Sequence, residues 1–191
     1  LTEYKTKRDL AAVKDLIDHV SGALTTVLFL VTVVGVIAAP LLILLFAPGF
    51  SQDAAKFELA SDMLRITFPY LLFISLTAFA GGILNAYGRF AVPAFTPTFL
   101  NLAMIAAALW LAPHLERPIT ALAWGVFIAG VVQLVFQWPY LVKLGLMPRF
   151  RYKRAHEGVS RILRLMVPVI FGSSVAQINL LVETVIASFL V

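Results

Sequence analysis

The residue of this chain with the clearest chemical potential is a carboxylate set in apolar surroundings. Glu183 lies in QINLLVETVIASFL (Gln177–Leu190) and is the one charge between Leu165 and Val191. An ionised acid at membrane depth costs roughly 2.5–3.5 kcal/mol on insertion scales, so it is rarely incidental. Asn179 stands four residues before it, one helical turn away. At about 100° per residue, Ser173, Gln177, Thr184 and Ser188 fall on one narrow face, with Asn179 and Glu183 forming an adjoining stripe. A helix with so much polar arc cannot turn that side to lipid; it lines a bundle interior or an aqueous cavity. Glu183 then has two readings. One is a cation or proton site, or a contact to a polar substrate. The other is a protonated or paired carboxyl at an inter-helix contact or at the outer interface. Pro168 and Gly172 interrupt the same run and are candidate hinges, or simply relieve packing.

Other chemistry is missing from the pattern. His19, His114 and His156 are isolated and lack metal-ligand spacing. The chain has no cysteine, which removes disulfides, thiolate metal sites and a cysteine nucleophile. No paired carboxylates occur within an apolar run, and no Gly-rich phosphate loop precedes a helix. The expectation is therefore a protein that is not an enzyme, with no catalytic residue and no metal site.

The elements that must position Glu183 follow from composition. Of 191 residues, 61% are hydrophobic and 13% charged, and the mean hydropathy is +0.93. An ordinary globular domain carries about 25% charged residues. The fold class read from these figures is an all-α integral membrane protein. A spanning helix needs about 20 mostly apolar residues. Five stretches qualify, at Gly22–Phe46, Ile66–Asn85, Ala94–Ala112, Ala121–Val142 and Leu165–Val191. Nothing alternates with the dyad period of a membrane β-barrel. The organisation expected is an amphipathic cytoplasmic segment over 1–21, four spans over 22–142, a basic cytoplasmic loop over 143–164 and a polar-faced span over 165–191. The first connection is placed around Ala47–Arg65.

The basic residues orient these spans. Lys5, Lys7, Arg8, Lys14, Arg89, Lys143, Arg149, Arg151, Lys153, Arg154, Arg161 and Arg164 fall on one side. Lys56, Arg65 and Arg117 fall on the other. Twelve against three puts the first residues in the cytoplasm and the end of the last span outside. Glu183, about 28 Å along a helix counted from Arg164, then lies beyond the midplane toward the outer side. The formal charge of +5 is explained the same way. The run RFRYKR (Arg149–Arg154) is read as an orientation signal touching anionic membrane lipids, with no nucleic acid partner.

Leu10, Val13, Leu16, Ile17 and Val20 recur at helical spacing, with Asp9, Lys14, Asp15 and Asp18 turned away. This amphipathic helix either anchors at a membrane surface or packs under the bundle, and packing is the reading adopted. Pro69 is expected to kink the second span. Gly81 and Gly82 permit close helix approach, and Asn85 can bond across helices. Pro93 and Pro97 open the third span, where Asn101 is the polar residue. Gln133 and Gln137, four apart in the fourth span, are read as packing residues. Three features point to a portion of a larger protein: a first residue other than Met, a last run (VIASFLV) still apolar, and an odd number of spans.

The order and texture of these spans resemble the MurJ/MviN family, the lipid II flippases of the multidrug/oligosaccharidyl-lipid/polysaccharide exporter superfamily. The resemblance rests on LTEYKTKRD (Leu1–Asp9), FAPGF (Phe46–Phe50), RITFPYLLFISL (Arg65–Leu76), GGILNAYGRFAVPAFTPTFLN (Gly81–Asn101), ALAWGV (Ala121–Val126) and QINLLVETVIASFL (Gln177–Leu190). It covers nearly the whole chain, and Arg65–Asn101 is its most specific part. It implies a parent of fourteen transmembrane helices in two lobes, with the spans here resembling helices three to seven. The first four would belong to the amino-terminal lobe; the last would begin the second lobe and line a central cavity.

The resemblance further implies a lipid-linked peptidoglycan precursor as substrate, moved between leaflets of the bacterial inner membrane by alternating access. The remaining helices of the parent chain would be structural partners; no cofactor is implied beyond a coupling cation (Na+ or H+), and membrane potential or a cation gradient would supply the bias. Ser173, Gln177, Asn179 and Thr184 would line the cavity, and Glu183 sits where some members place an acidic residue at a cation site. The residues that hold the substrate's pyrophosphate lie in the family on helices absent here, so none is carried over. Two other functions stay open: an exporter of other lipid-linked oligosaccharides or a cation-coupled drug antiporter, and a structural membrane component of an envelope complex. The structural reading predicts no polar stripe on the last span.

Overall fold

The computed structural model describes residues 10–149, 164, 174 and 177–189. Those residues fold as α-helices joined by short turns. Helix α1 (Leu10–Ile37) runs unbroken across the boundary drawn at residue 21, because nothing between the amphipathic segment and the apolar run interrupts its hydrogen bonds. Pro40 has no N–H to return to the preceding turn, and the chain re-enters a separate helix, α2 (Ala39–Phe46), through Ala38. A 3-10 turn over Pro48–Gln52 follows.

The connection expected around Ala47–Arg65 is mostly helix. The Asp53 side chain accepts hydrogen bonds from the N–H groups of Ala55 (2.9 Å) and Lys56 (3.2 Å), capping α3 (Ala54–Thr67). Hydropathy hides this helix, since Lys56, Glu58, Asp62 and Arg65 lie along it. Pro69 then interrupts the α-helical hydrogen bonding. The chain restarts through i→i+3 bonds from Leu71 to Phe68 and from Leu72 to Pro69, and α4 (Tyr70–Ala86) continues. Gly88, at φ 74°, turns the chain into the short helix α5 (Ala91–Phe95). Next comes α6 (Thr98–Ala106), which ends through a π turn at Ala107–Leu111. Helix α7 (Thr120–Lys143) carries Pro139 within it, and α8 covers Gln177–Ser188.

Among the described residues, four segments are long and apolar enough to cross a membrane: Ala11–Ile37, Ala54–Ala86, Ala91–His114 and Thr120–Lys143. Their outward faces carry large apolar side chains such as Phe29, Leu30, Val34 and Ile105, as lipid contact requires. Helix α7 is the axis of the bundle, with α4 on one side and α6 on the other. Phe73 of α4 meets Phe127 of α7 edge-on at 5.7 Å, and Phe99 of α6 meets Phe136 of α7 at 4.7 Å.

Val13, Leu16 and Ile17 are buried, and Val13 and Ile17 join Ile83, Leu84, Leu141 and Leu146 in one core cluster. The amphipathic segment is therefore packed against the ends of α4 and α7. Asp18 is not turned away as its spacing suggested. It is 4% exposed, because its carboxylate accepts the Arg149 N–H at 2.7 Å. That bond ties the start of α1 to the chain just beyond α7.

Candidate functional site

Two polar regions could serve function, and they are built differently. The first is the stripe on α8. Asn179 and Glu183 come together as their spacing predicted: Asn179 Nδ2 donates to Glu183 Oε1 at 3.0 Å, and both are exposed. Thr184 adjoins Glu183 in sequence, but its hydroxyl donates back to the Leu180 carbonyl at 2.7 Å. Gln177 is exposed at the start of the helix. Ser188 donates to the Val185 carbonyl and accepts the Gly49 N–H at 3.1 Å, which places this end of α8 against the turn after α2. Ser173, Pro168 and Gly172 lie outside the described residues. The stripe thus has one acid paired within its own helix and a row of exposed polar atoms. Among the described residues, no three His, Asp or Glu side chains gather closely enough to hold a metal ion.

The second region is a groove between α4 and α6, floored by α7, with a volume of about 400 Å3. Its polar lining comes from Tyr70, Thr77 and Asn85 of α4, Thr96 before α6, and Gln133 and Gln137 of α7. Gln133 and Gln137 are each 1% exposed. Tyr70 Oη donates to Gln133 Oε1 at 3.4 Å, and Gln133 Nε2 donates to the Thr96 carbonyl at 3.3 Å. Gln137 Nε2 donates to Thr96 Oγ1 at 3.0 Å, and that hydroxyl donates to the Val92 carbonyl. The network ties three helices together, so the packing role expected of the two glutamines is present. Yet Gln137 Oε1 and Thr77 Oγ1 are buried without a partner among the described residues.

Glycine sets the spacing of the walls. A side chain at Gly130 of α7 would meet Tyr70 and Phe73 of α4, so the close approach of these helices depends on its absence. Gly81 lies against Pro93, whereas a Cβ at Gly82 would meet nothing within 4 Å among the described residues. Thr77 and Thr96 carry no strong signal in the sequence. The one available clue is that Thr77, Gly81 and Asn85 recur every four residues, which is the spacing of Gln133 and Gln137.

Together, a bundle of apolar spanning helices, a polar stripe on a further helix and a polar groove among the spans define a polytopic helical membrane protein. The family model described as "Lipid II flippase MurJ" matches residues 1–191, and the chain belongs to that family. A Vibrio cholerae protein named "Probable lipid II flippase MurJ" is 47% identical over 197 residues, covering 100% of this chain and 38% of the relative. A Haemophilus influenzae protein of the same name is 44% identical, covering 100% and 39%. A Burkholderia cenocepacia protein named "Lipid II flippase MurJ" is 45% identical, covering 98% and 37%. The chain spans under two fifths of the length of these relatives.

Proposed function

We propose that this chain acts within a full-length lipid II flippase, which carries the lipid-linked peptidoglycan precursor from the inner to the outer leaflet of the bacterial cytoplasmic membrane. What carries the reading is the match of all 191 residues to relatives bearing that name at 44–47% identity. The polar stripe on α8 favours a transport role over a purely structural one, since a helix that only packs against lipid has no use for it. The excess of basic residues on one side favours a cytoplasmic first residue, with the basic loop against anionic lipid headgroups.

The mechanism is alternating access: two lobes rock about a central cavity, and the headgroup leaves on the far side. Ser173, Gln177, Asn179 and Thr184 line the cavity along the last span. Glu183, held by Asn179, is the candidate cation site for Na+ or H+, and Pro168 and Gly172 are the bending points. Depletion of the full-length protein in its native bacterium should remove lipid II from the outer leaflet and accumulate it on the cytoplasmic side. An unchanged distribution would overturn the assignment. Glu183→Gln in the full-length protein should slow transport and blunt its dependence on a cation gradient; if neither changes, the cation role is lost.

A further inference from the structure

We propose that the contact between Gly49 and Ser188 is a releasable latch: closed in this structure, it seats the far end of α8 on the turn after α2 and must part for the headgroup to leave. This rests on the flippase reading, in which α8 begins the second lobe. It also uses the orientation that the basic residues favour, which puts the contact at the outer surface. The first support is how little of α8 is held. Of residues 177–189, Ser188 alone is buried, at 6% exposed, and Val185 one turn before it is half-buried; the others are exposed. Asn179 and Thr184 spend their hydrogen bonds within α8. Among the described residues, the helix therefore meets the four-span bundle at its last turn. There the Gly49 N–H donates to Ser188 Oγ at 3.1 Å. A single neutral hydrogen bond biases an equilibrium by only about fivefold, so such a seat can open.

The second support is the fit of the two surfaces. A Cβ at Gly49 would overlap the Ser188 carbonyl and the Phe189 nitrogen, so the turn accepts α8 only because residue 49 has no side chain. On the bundle side the seat is fixed. Pro48 opens the 3-10 turn, the Ser51 hydroxyl donates to the Pro48 carbonyl at 2.7 Å, and the Phe50 N–H donates to the Ala47 carbonyl at 3.0 Å. The Phe68 ring fills the place of a side chain at Gly35, which locks the end of α3 to α1. A shaped, fixed seat thus meets a helix that is otherwise free along its described length.

The third support is that parting strands no polar group. The Gly49 N–H lies in the first turn of a helix, where no carbonyl of that helix can accept it, and Ser188 takes the place of water. The Ser188 hydroxyl spends its own proton within α8, on the Val185 carbonyl at 2.7 Å. When the two separate at a wetted surface, water accepts the N–H and the hydroxyl keeps its bond. The tether at the start of α1 is built otherwise. Asp18, 4% exposed, accepts the Arg149 N–H at 2.7 Å, and Leu146 three residues earlier is fully buried. Separation there would leave a carboxylate buried without its donor. Movement of α8 against the bundle therefore opens at Gly49 and leaves the tether intact.

The test uses the absence of cysteine from this chain. In the full-length protein, with any cysteine elsewhere replaced, Gln52→Cys and Phe189→Cys place thiols on exposed residues flanking the contact and leave Gly49 and Ser188 in place. Gln52 stands over Gly49 at the three-residue repeat of a 3-10 turn. A short bifunctional methanethiosulfonate should bridge the pair and cut lipid II flipping about tenfold, and a reductant should restore it. Either single variant treated alike should keep its rate. Separately, Ser188→Cys should react slowly with a membrane-impermeant methanethiosulfonate, and adding Gly49→Ala should speed that reaction about tenfold by lifting α8 off the turn. Flipping that persists in the bridged protein would make the contact fixed packing and overturn the latch. Failure of the pair to bridge, or a labelling rate that Gly49→Ala leaves unchanged, would overturn it too. If Gly49→Ala does not fold, the bridged pair, which keeps Gly49, still decides. An unsubstituted protein that flips nothing defeats the flippase reading, whereas flipping by both the unsubstituted and the bridged protein defeats the latch alone.

Discussion

The stripe on α8 and the groove between α4 and α6 are both polar, but they meet their hydrogen-bonding needs in opposite ways. On α8, Asn179 bonds Glu183 and Thr184 bonds Leu180, so the side chains are served within one helix and remain exposed. In the groove, Tyr70, Thr96, Gln133 and Gln137 are served across three helices and are largely enclosed, with two atoms left over. The difference separates two jobs. A stripe that needs nothing from its neighbours can face a changing environment. A network that crosses helices holds them at fixed separation and tolerates little change.

That contrast is open to attack, most severely at the groove wall. Gly130→Leu should force Tyr70 and Phe73 outward and cost about 3 kcal/mol, at the upper end for overpacking. In the detergent-solubilised full-length protein this should appear as loss of the monodisperse species or a sharply lower Tm. Next in size is a paired comparison. Gln137→Leu removes the Thr96 bond and should cost about 1–2 kcal/mol. Gln177→Leu, on the exposed stripe, should stay within about 0.5 kcal/mol of the parent. Equal losses in the two variants would erase the distinction.

Smaller effects sharpen it. Ser188→Ala removes the acceptor of the Gly49 N–H and should cost about 1 kcal/mol, marking the place where α8 does depend on a neighbour. Asn179→Ala should change stability by only about 0.2–0.5 kcal/mol, the scale of an i,i+4 pair on an exposed helix. Chemical unfolding of the full-length protein read by Trp fluorescence would rank Gln137→Leu, Ser188→Ala, Gln177→Leu and Asn179→Ala.

The first four spans were legible in the sequence because hydropathy reports which residues tolerate hydrocarbon. The interruption at Pro69 was legible because proline removes a donor whatever surrounds it. The same signal misplaced the helix boundaries. It missed α3, whose charged residues look like a loop until Asp53 is seen to cap them. It also turned Asp18 outward, since periodicity cannot know that the Arg149 N–H arrives from a point 131 residues away. Asn179 and Glu183 were readable as a pair because they share one helix. The groove was not, because Thr77, Thr96, Gln133 and Gln137 come from separate elements and acquire meaning only when those elements meet.

The break at Pro69 also fixes how deep the protein sits. The 33 residues of Ala54–Ala86 amount to roughly 50 Å of helix, against a hydrocarbon layer of about 30 Å. The 17 residues of α4 alone rise about 25 Å, nearly the whole layer. Helix α3, where Arg65 bonds Asp62 at 2.9 Å and Glu58 lies 3.7 Å from Arg117, therefore stands clear of the hydrocarbon like a collar. Sliding downward would drag those charges into lipid. A hydrocarbon layer thicker than α4 is long would meet these charges and would have to thin around them.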